Sequence, residues 1–436
     1  MLFRDATLAD GRTVDVRVEG EQVDAVGSQL SAEGEDVIDA SGKLLLPGAI
    51  DAHVHFREPG FSHKETWASG SQSAAAGGVT TVVDQPNTDP PTVDGVSFDE
   101  KAELAAASIV DYGINGGVTP DWDPDELFDR PLFALGEVFL ADSTGEMGIE
   151  EPLFREAAAR AAEEGVVVTV HAEDADQFDE SARTDGADGK RLDADAWSAY
   201  RTAEAEAAAV ERACEIGDEV GATLHIAHTS TPEGAETAAA SGATCEVTPH
   251  HLFLSREDLD ELDTFGRMNP PLRSEERRQR MFELVADGTI DIVATDHAPH
   301  TREEKDASIW EVPSGVPGVE TMLPLLLEAA REGQLSYERI REITAEAPAR
   351  IFGLPSKGRI EEGADADLVL VDPEASREIR GEDLHSNCTW TPFEGHRGVF
   401  PELTLVRGRI VWRAERDQFD REESGENVRT TGTHAR

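Results

Sequence analysis

Cysteine is scarce in this chain, and its three cysteines lie far apart. Cys214, Cys245 and Cys388 are odd in number and share no short spacing. This pattern argues against a disulfide framework and against a zinc site built from cysteine pairs. It favours buried thiols in a reducing compartment.

Long apolar runs are also missing. No stretch approaches the ~18 apolar residues that a membrane-spanning helix needs. The first residues, MLFRDATLADG, have neither the basic part nor the apolar part of a signal peptide. We therefore expect a cytoplasmic protein that has no membrane partner.

Basic residues are few, and most of them are arginine. There are 39 Lys and Arg residues against 89 Asp and Glu residues, which gives a formal net charge of −50. Such a charge repels phosphate and argues against nucleic acid as a partner. Acidic residues spread along the chain, together with few lysines, predict a surface adapted to molar salt, where screening weakens the repulsion. A DNA-mimicking protein is the alternative, but it needs no cluster of histidines.

From about residue 45 the chain alternates β-rich segments with Ala-rich segments that have helical character. The predicted strands are 47–53, 79–86, 109–118, 132–140, 166–172, 223–229, 244–250 and 290–296. Helices are predicted between most of them, for example at 150–164, 200–216 and 274–287. Eight β/α repeats predict an α/β fold with a closed parallel (β/α)8 barrel of the TIM type, rather than an open doubly wound sheet.

Two further β-rich pieces flank the barrel. Residues 1–46 and 355–413 predict one small β-sandwich-like domain built from both termini, and residues 47–354 predict the catalytic barrel. Residues 414–436 are charged and lack apolar periodicity. They predict a loose C-terminal tail.

The segment DAHVHFREPG, residues 51–60, is the most informative one in the chain. His53 and His55 are two residues apart, so in a strand their side chains point to the same side. Two adjacent imidazoles make half of a zinc-type site. Arg57 lies one more step along, and its guanidinium suits a substrate carboxylate. The alternative is a pair of histidines with purely structural roles.

Polar residues follow the ends of most predicted strands. In a parallel barrel these ends form one rim, where active sites are built. The candidates at this rim are His53, His55, Asn87, Glu137, His171, His228, His250, His251 and Asp296. His225 and His228 face opposite sides of a strand because they are three apart, and we favour His228 for the rim and His225 for packing. Asp296 could bind metal and also transfer a proton.

These motifs resemble those of the cyclic amidohydrolases, and among them the dihydroorotases, over nearly the whole chain. The matching segments are DAHVHFREPG (51–60), QPNTDPP (85–91), VHAE (170–173), HIAHTS (225–230), EVTPHHLFL (246–254), MNPPLR (268–273) and ATDHAPH (294–300). The resemblance implies a metal-dependent enzyme that interconverts N-carbamoyl-L-aspartate and the cyclic amide L-dihydroorotate. It also implies zinc as the cofactor, with two ions per chain.

The resemblance further implies roles for single residues. One metal ion would be bound by His53 and His55, and the second by His171 and His228. Asp296 would bind metal and carry the proton between water and substrate.

The substrate side of the site follows from the same resemblance. Arg57, Asn87 and His300 would hold the substrate carboxylate. Backbone groups around Asn269, Pro317 and Gly318 would face the pyrimidine ring. Besides this small molecule, we expect other copies of the chain as partners in a homo-oligomer, with a dimer as the simplest form.

The chain departs from the family pattern at one position. Many relatives bridge the two metal ions with a carboxylated lysine on the fourth strand, but no lysine occurs here between Lys101 and Lys190. Glu137 aligns with that lysine, and its two oxygens could bridge two cations. Asp142 is the reserve candidate. If neither carboxylate reaches the metals, the site would hold one tightly bound ion.

Two other functions compete with this interpretation. A sister enzyme, such as an allantoinase or a dihydropyrimidinase (hydantoinase), would hydrolyse a ring without a carboxylate, which gives Arg57 nothing to bind. A non-catalytic scaffold would have lost metal-ligating residues that this chain keeps.

Overall fold

The computed structural model describes residues 1–32, 34–142, 147–185, 189–420 and 424–429. Five strands come first: β1 (Leu2–Thr7), β2 (Thr13–Glu19), β3 (Gln22–Gly27), β4 (Val37–Asp39) and β5 (Leu44–Pro47). The central strands are β6 (Ala49–Val54), β7 (Val79–Asp84), β8 (Asp111–Ile114), β9 (Leu135–Phe139), β10 (Val168–His171), β11 (Thr184–Asp185), β12 (Gly189–Lys190), β13 (Leu224–Ile226), β14 (Thr244–Val247) and β15 (Ile292–Val293). The last strands are β16 (Leu368–Glu378), β17 (Arg397–Val406), β18 (Arg409–Arg413) and β19 (Gln418–Phe419).

Helices connect most of the central strands. They are α1 (Trp67–Ala76), α2 (Gly95–Ala105), α3 (Pro124–Phe128), α4 (Glu151–Glu164), α5 (Asp195–Tyr200), α6 (Ala203–Val220), α7 (Pro232–Ser241), α8 (Pro249–Phe253), α9 (Leu259–Leu262), α10 (Glu275–Asp287), α11 (Arg302–Lys305), α12 (Met322–Arg331), α13 (Tyr337–Arg341) and α14 (Ala347–Ile351). Their ends follow ordinary capping rules. In α6, the Thr202 hydroxyl accepts from the backbone N–H of Ala205, and Gly221 ends the helix in the left-handed conformation. Within the described ranges, no helix combines the length and apolar character that a membrane crossing requires.

The barrel consists of eight parallel strands. Strands β6, β7 and β8 form one ladder, and β9, β10, β13, β14 and β15 form another. Two parallel bridges join the ladders, Gly116 with Leu135 and Val54 with His297, and close the ring. Strands buried on both faces read as continuous apolar runs, and all six residues of β7 (VTTVVD) are buried. Each of the eight predicted strand segments overlaps one barrel strand, and the predicted α/β barrel is confirmed.

The terminal strands form a separate sheet beside the barrel. Its order is β19-β18-β17-β16-β5-β1-β2-β3, with β4 next to β1. Strand β5 pairs antiparallel with β16, so the chain's two ends meet inside this sheet, as predicted. Its apolar core includes Phe3, Leu45 and Leu368, all fully buried. The domain bounds at 46/47 and 354/355 stay a prediction, and the first of them falls within β5.

A buried ion-pair network connects this sheet to the barrel. The Lys357 ammonium lies 2.7 Å from a carboxylate oxygen of Asp111, at the start of β8, and 2.6 Å from one of Asp367, just before β16. All three side chains are buried. Lys357 therefore lies between two carboxylates and reduces their repulsion at the junction.

Residues 414–420 and 424–429 are ordered, although the sequence predicted a loose tail from residue 414. Strand β19 pairs with β18, and Asn427 forms a parallel bridge with Tyr112 of β8. The Arg429 guanidinium donates to the backbone oxygens of Phe352 and Gly353. These contacts are made mainly by backbone groups, which leave no apolar periodicity in the sequence. Residues 421–423 and 430–436 of the predicted tail lie outside the described residues.

Candidate active site

A small cavity lies at the carboxyl ends of the barrel strands. It is lined by His55, Arg57, Asn87, Glu137, Phe139, His228, Asn269, Asp296, Ala298, Ser314 and Gly315. Seven of these are residues that the sequence analysis placed at the rim or assigned to substrate. The barrel thus brings together side chains that are distant in sequence, such as His55 and Asp296, which are 241 residues apart.

His53 and His55 project to the same side of β6 and its continuation. Nε2 of His53 lies 3.3 Å from Oε2 of Glu137 and 3.6 Å from Oδ1 of Asp296. Nε2 of His55 lies 2.9 Å from the same Asp296 oxygen, and Nδ1 of His55 lies 2.7 Å from Oδ1 of Asn87. The HxH spacing therefore directs two ring nitrogens toward two carboxylates.

A second group of side chains surrounds the other oxygen of Glu137, which belongs to β9. Oε1 of Glu137 lies 2.8 Å from Nδ1 of His171 and 2.6 Å from Nε2 of His228. The two ring nitrogens are themselves 2.9 Å apart. Glu137 thus stands between the pair His53 and His55 and the pair His171 and His228, with one oxygen toward each.

The outer nitrogens of two histidines are held by further carboxylates. Nδ1 of His53 lies 2.5 Å from Oε1 of Glu246, and Nε2 of His171 lies 2.9 Å from Oε2 of Glu173. A carboxylate accepts hydrogen bonds, so each of these nitrogens carries the ring proton. The opposite nitrogen then presents a lone pair to the centre of the site, toward the oxygens of Glu137.

Lone pairs of imidazole nitrogens and carboxylate oxygens that point to one centre are suited to bind a cation. In the part of the chain that the structure describes, Nε2 of His53 and Nδ1 of His228 are buried without a hydrogen-bond partner. Two sets of ligand atoms lie within 4.8 Å of one another: one from His53, His55 and Asp296, the other from His53, Glu137 and His228. Imidazole nitrogens and carboxylate oxygens are donors that zinc and related divalent ions prefer.

The local charges also favour cations. Burial raises the pKa of Glu137, but the rings of His53 and His228 outweigh it and hold this pKa well below its ordinary value. Burial lowers the pKa of His171, yet the carboxylates of Glu137 and Glu173 raise it to about 9. The carboxylates that raise the pKa of His171 would equally stabilise a divalent cation, which would take the place of a proton on the ring.

Arg57 supplies positive charge on another side of the cavity. Its guanidinium lies 3.2 Å from the backbone oxygen of Pro299 and 3.1 Å from Nε2 of His300. Burial lowers the pKa of Arg57 to about 10, so the group stays charged at neutral pH. Burial and the charges of Arg57, Lys305 and Lys64 hold the pKa of His300 well below its ordinary value, so this ring is neutral.

Three residues of the site have a backbone conformation that is rare outside glycine. The φ angles are 66° at Arg57, 33° at His228 and 46° at Asp296. Positive φ costs on the order of 1–3 kcal/mol per residue and persists where the surrounding structure demands it, which is typical of functional sites. The fold therefore holds all three side chains in place against a local penalty.

Some predicted site residues lie elsewhere. The structure does not bring Pro317 and Gly318 to the cavity wall: the Gly318 N–H donates to Nδ1 of His297, and Ser314 and Gly315 line the cavity instead. Asp142 is apart from the metal-type cluster, since its Oδ1 accepts from the Gly148 N–H.

The other rim histidines also have structural partners. His225 contacts Thr244 and Glu246, in keeping with the packing role that we predicted for it. Nδ1 of His251 lies 2.8 Å from the Thr248 hydroxyl, and its Nε2 lies 3.1 Å from the Pro270 oxygen. His250 is buried against His251, with 4.4 Å between the ring centroids.

The sequence analysis missed three charged residues that support the site. Glu246 holds His53, while Glu173 holds His171 and is itself paired with Arg201 at 2.5 Å. A signal was present for Glu246, because it lies in the strand sequence TCEV, where an acidic residue must find a buried partner. No spacing rule connects Arg201 to Glu173, because the pairing depends on how α5 and α6 pack over the barrel.

Comparison with known proteins places the chain among close relatives. A model described as the amidohydrolase family matches residues 44–411. The chain is 69% identical to the dihydroorotase of Halobacterium salinarum over 431 residues, 98% of this chain and 99% of that one. It is 46% identical to the dihydroorotase of Methanosarcina mazei, over 92% and 91% of the two chains. The solved structure of the L-hydantoinase (dihydropyrimidinase) from Arthrobacter aurescens superposes with a TM-score of 0.92 at 29% identity, over 98% of this chain and 99% of that one.

Proposed function

The chain belongs to the amidohydrolase family, and from this premise we propose how its buried residues perform the reaction of a dihydroorotase. That reaction is the reversible cyclisation of N-carbamoyl-L-aspartate to L-dihydroorotate and water, a step of pyrimidine biosynthesis. The observation that carries the assignment of roles is the charged Arg57 in the wall of a cavity that also contains the histidine and carboxylate cluster.

We assign two metal ions to the cluster, and zinc as their identity. His53, His55 and Asp296 would hold one ion, and His171 and His228 the other. The Glu137 carboxylate would bridge them, because each of its oxygens faces a different pair of imidazoles. The choice of zinc rests on the donor set of four imidazoles and two carboxylates.

The chain's own residues supply proton transfer and orientation. Divalent ions bound at the cluster would polarise the substrate carbonyl and make a water molecule more acidic. Asp296 is the acid–base group of this proposal: it takes a proton as water attacks and returns it to the leaving ring nitrogen. His55 and Asp296, whose nearest atoms lie 2.9 Å apart, would hold the same ion, and this shared ligation would keep the Asp296 carboxylate in place for the transfer.

The substrate carboxylate is assigned to the positive side of the cavity. Arg57 can form two parallel hydrogen bonds with a carboxylate, and neutral His300 lies beside it. Asn87 lines the cavity through the amide whose oxygen holds His55. Asn269, Ser314 and Gly315 line the remaining wall and would face the pyrimidine ring.

We propose the cytoplasm as the compartment. All three cysteines are free and buried, as expected where thiols stay reduced. The homo-oligomeric state, for which a dimer is the simplest form, stays a prediction.

The competing substrates test this proposal directly. We expect the purified, zinc-loaded protein to open L-dihydroorotate and to close N-carbamoyl-L-aspartate, with kcat/KM for dihydroorotate far above that for allantoin or hydantoin. The reason is that only dihydroorotate offers a carboxylate to Arg57. Faster hydrolysis of either uncharged ring would contradict the substrate assignment and favour the allantoinase or hydantoinase alternative.

A further inference from the structure

A tryptophan outside the cavity wall contacts one of the residues that line it. The indole Nε1 of Trp197, in α5, lies 2.9 Å from Oδ1 of Asn269 and 3.2 Å from the backbone oxygen of Met268. Both Trp197 and Asn269 are buried. Trp197 itself is not part of the cavity lining, and Asn269 is a lining residue to which it donates a hydrogen bond.

This contact determines which end of the Asn269 amide is oxygen. The two ends of an asparagine amide look alike, but an indole N–H only donates hydrogen bonds, so the atom facing it must be the acceptor oxygen. The –NH2 group is therefore the end left for other partners. Its nitrogen carries two hydrogens, and can donate to a ligand as well as to the protein.

The indole is held firmly in this orientation. The Arg267 guanidinium carbon lies 3.6 Å from the centroid of the Trp197 ring, and that of Arg201 lies 5.6 Å away. The ring also packs against Tyr200 and Trp310, at centroid distances of 5.6 and 5.8 Å. Rotation of Trp197 would disrupt these contacts, so the Asn269 amide is held by a rigid group.

We propose that Trp197 is a positioning residue that keeps the Asn269 –NH2 group turned toward the ureido carbonyl oxygen of the substrate. This inference rests on the proposed function. The substrate has three kinds of acceptor: the carbonyl that is attacked, the carboxylate and the ureido carbonyl. The first is assigned to the metal cluster and the second to Arg57, His300 and Asn87, which leaves the ureido oxygen for the donor on the remaining wall. An amide rotated by 180° would present its own oxygen there and repel the substrate.

The central test replaces the indole while keeping an aromatic ring. Trp197→Phe removes the N–H donor and retains a ring between the arginines. Trp310→Phe is the matched control, since it removes an indole N–H from the same aromatic cluster, where Nε1 of Trp310 donates to the Arg191 oxygen at 2.6 Å. We expect Trp197→Phe to raise KM for dihydroorotate about tenfold with kcat nearly unchanged, the effect of one lost hydrogen bond to bound substrate. Trp310→Phe should change neither constant.

A substrate analogue separates this role from a general loss of packing. In the analogue, sulfur replaces the ureido oxygen of dihydroorotate, and a thiocarbonyl is a weak hydrogen-bond acceptor. Wild type and Trp310→Phe should prefer the oxygen compound, whereas Trp197→Phe should lose most of that preference.

A double variant provides a further test. Trp197→Phe should add little to the KM increase of Asn269→Ala, because Trp197 acts on the substrate through Asn269. Equal KM values in Trp197→Phe and Trp310→Phe, an unchanged preference for oxygen, or full additivity would each overturn the proposal.

A second variant covers the case in which Trp197→Phe does not fold. Asn269→Asp keeps the side-chain size and the acceptor for Trp197, but presents a carboxylate oxygen to the ligand in place of –NH2. It should raise KM for dihydroorotate and remove the preference over the sulfur analogue, and unchanged values would overturn the proposal. Absence of dihydroorotate turnover in the wild type is a different outcome, because it would contradict the proposed function itself.

Discussion

Oε1 of Glu246 lies 2.5 Å from Nδ1 of His53, and both side chains are buried. The same carboxylate accepts from the backbone N–H of His228 at 3.0 Å and contacts Nε2 of His225 at 3.1 Å. Glu246 therefore determines the tautomer of His53 and steadies the backbone of His228. Carboxylates in this position raise the basicity of a ligating imidazole and orient it.

We predict that Glu246→Gln weakens metal binding without removing any ligand. A neutral amide holds the His53 proton less strongly, so affinity for zinc should fall by about 10–100-fold, as is typical when such a partner is changed. Zinc content after dialysis against graded chelator measures this. Asp142→Asn is the control, because its carboxylate contacts the Gly148 N–H rather than the cluster. Equal zinc retention in both variants would show that Glu246 serves packing alone.

We predict that Arg57→Met loses turnover but keeps metal. The guanidinium contacts Pro299 and His300, not the histidine and carboxylate cluster, so its loss should leave zinc content near wild type. Loss of a buried charged contact to substrate costs roughly 2–5 kcal/mol, so kcat/KM should fall by about 30-fold or more. Steady-state kinetics and metal analysis on the same sample test both parts.

Arg57→Lys is the graded comparison for this variant. It keeps the charge but not the two parallel donors of the guanidinium, so its kcat/KM should lie between those of the wild type and Arg57→Met. Loss of zinc from Arg57→Met would mean that Arg57 organises the metal cluster instead of binding substrate.

Much of this site could be predicted because, in a parallel barrel, the position of a residue along its strand determines whether it lies at the rim. His53 and His171 lie at the ends of β6 and β10, and His228 follows β13, while Glu137 lies within the short strand β9. Parallel strands put their carboxyl ends on one rim. Local rules of this kind say where a side chain emerges. They do not say which side chains it contacts. Glu137 was selected because no lysine occurs between residues 101 and 190, at the position where relatives have one. Its distances to two pairs of imidazoles depend on the closure of the barrel and could not be predicted.

Other features depend on contacts between distant segments. Arg201, between α5 and α6, pairs with Glu173, which follows β10, and the spacing of 28 residues does not reveal this contact. The segment 424–429 was predicted as loose because it has no apolar pattern, yet it packs through backbone hydrogen bonds to Tyr112. Backbone pairing uses groups that every residue has, so the sequence carries little trace of it.

We predict that His385 makes the protein more stable below neutral pH. Burial lowers its pKa, but Glu320 at 2.8 Å and Asp417 at 3.1 Å outweigh this and raise the pKa above 6.5. The protonated ring therefore binds its proton more tightly in the folded state, and its contribution is fully present below about pH 6.5 and lost as pH rises through the folded pKa. The free energy of unfolding, measured by denaturant titration across this window, should fall with pH in the wild type. His385→Gln should show a smaller fall, and an identical slope in both proteins would contradict the assignment.

We predict that stability and activity rise with KCl into the molar range. A net charge of −50 repels itself strongly at low salt, whereas at 1 M salt the Debye length is only ~3 Å. Melting temperature and initial rate, each measured from low salt upward, test this. An activity optimum below about 0.2 M KCl, where the Debye length is still near ~8 Å, together with an unchanged melting temperature, would contradict it.

The central claim is that the Glu137 carboxylate bridges two metal ions, and anomalous scattering at the zinc edge tests it most directly. Crystals grown with zinc should show two anomalous peaks per chain. One peak should lie near His53, His55 and Asp296 and the other near His171 and His228, each within about 2.0–2.2 Å of a different Glu137 oxygen. Glu137→Gln crystals should keep about one peak, because an amide nitrogen is no ligand for zinc and a neutral group does not offset two divalent charges. A single peak in the wild type that Glu137 does not contact, or two undiminished peaks in the variant, would contradict the account.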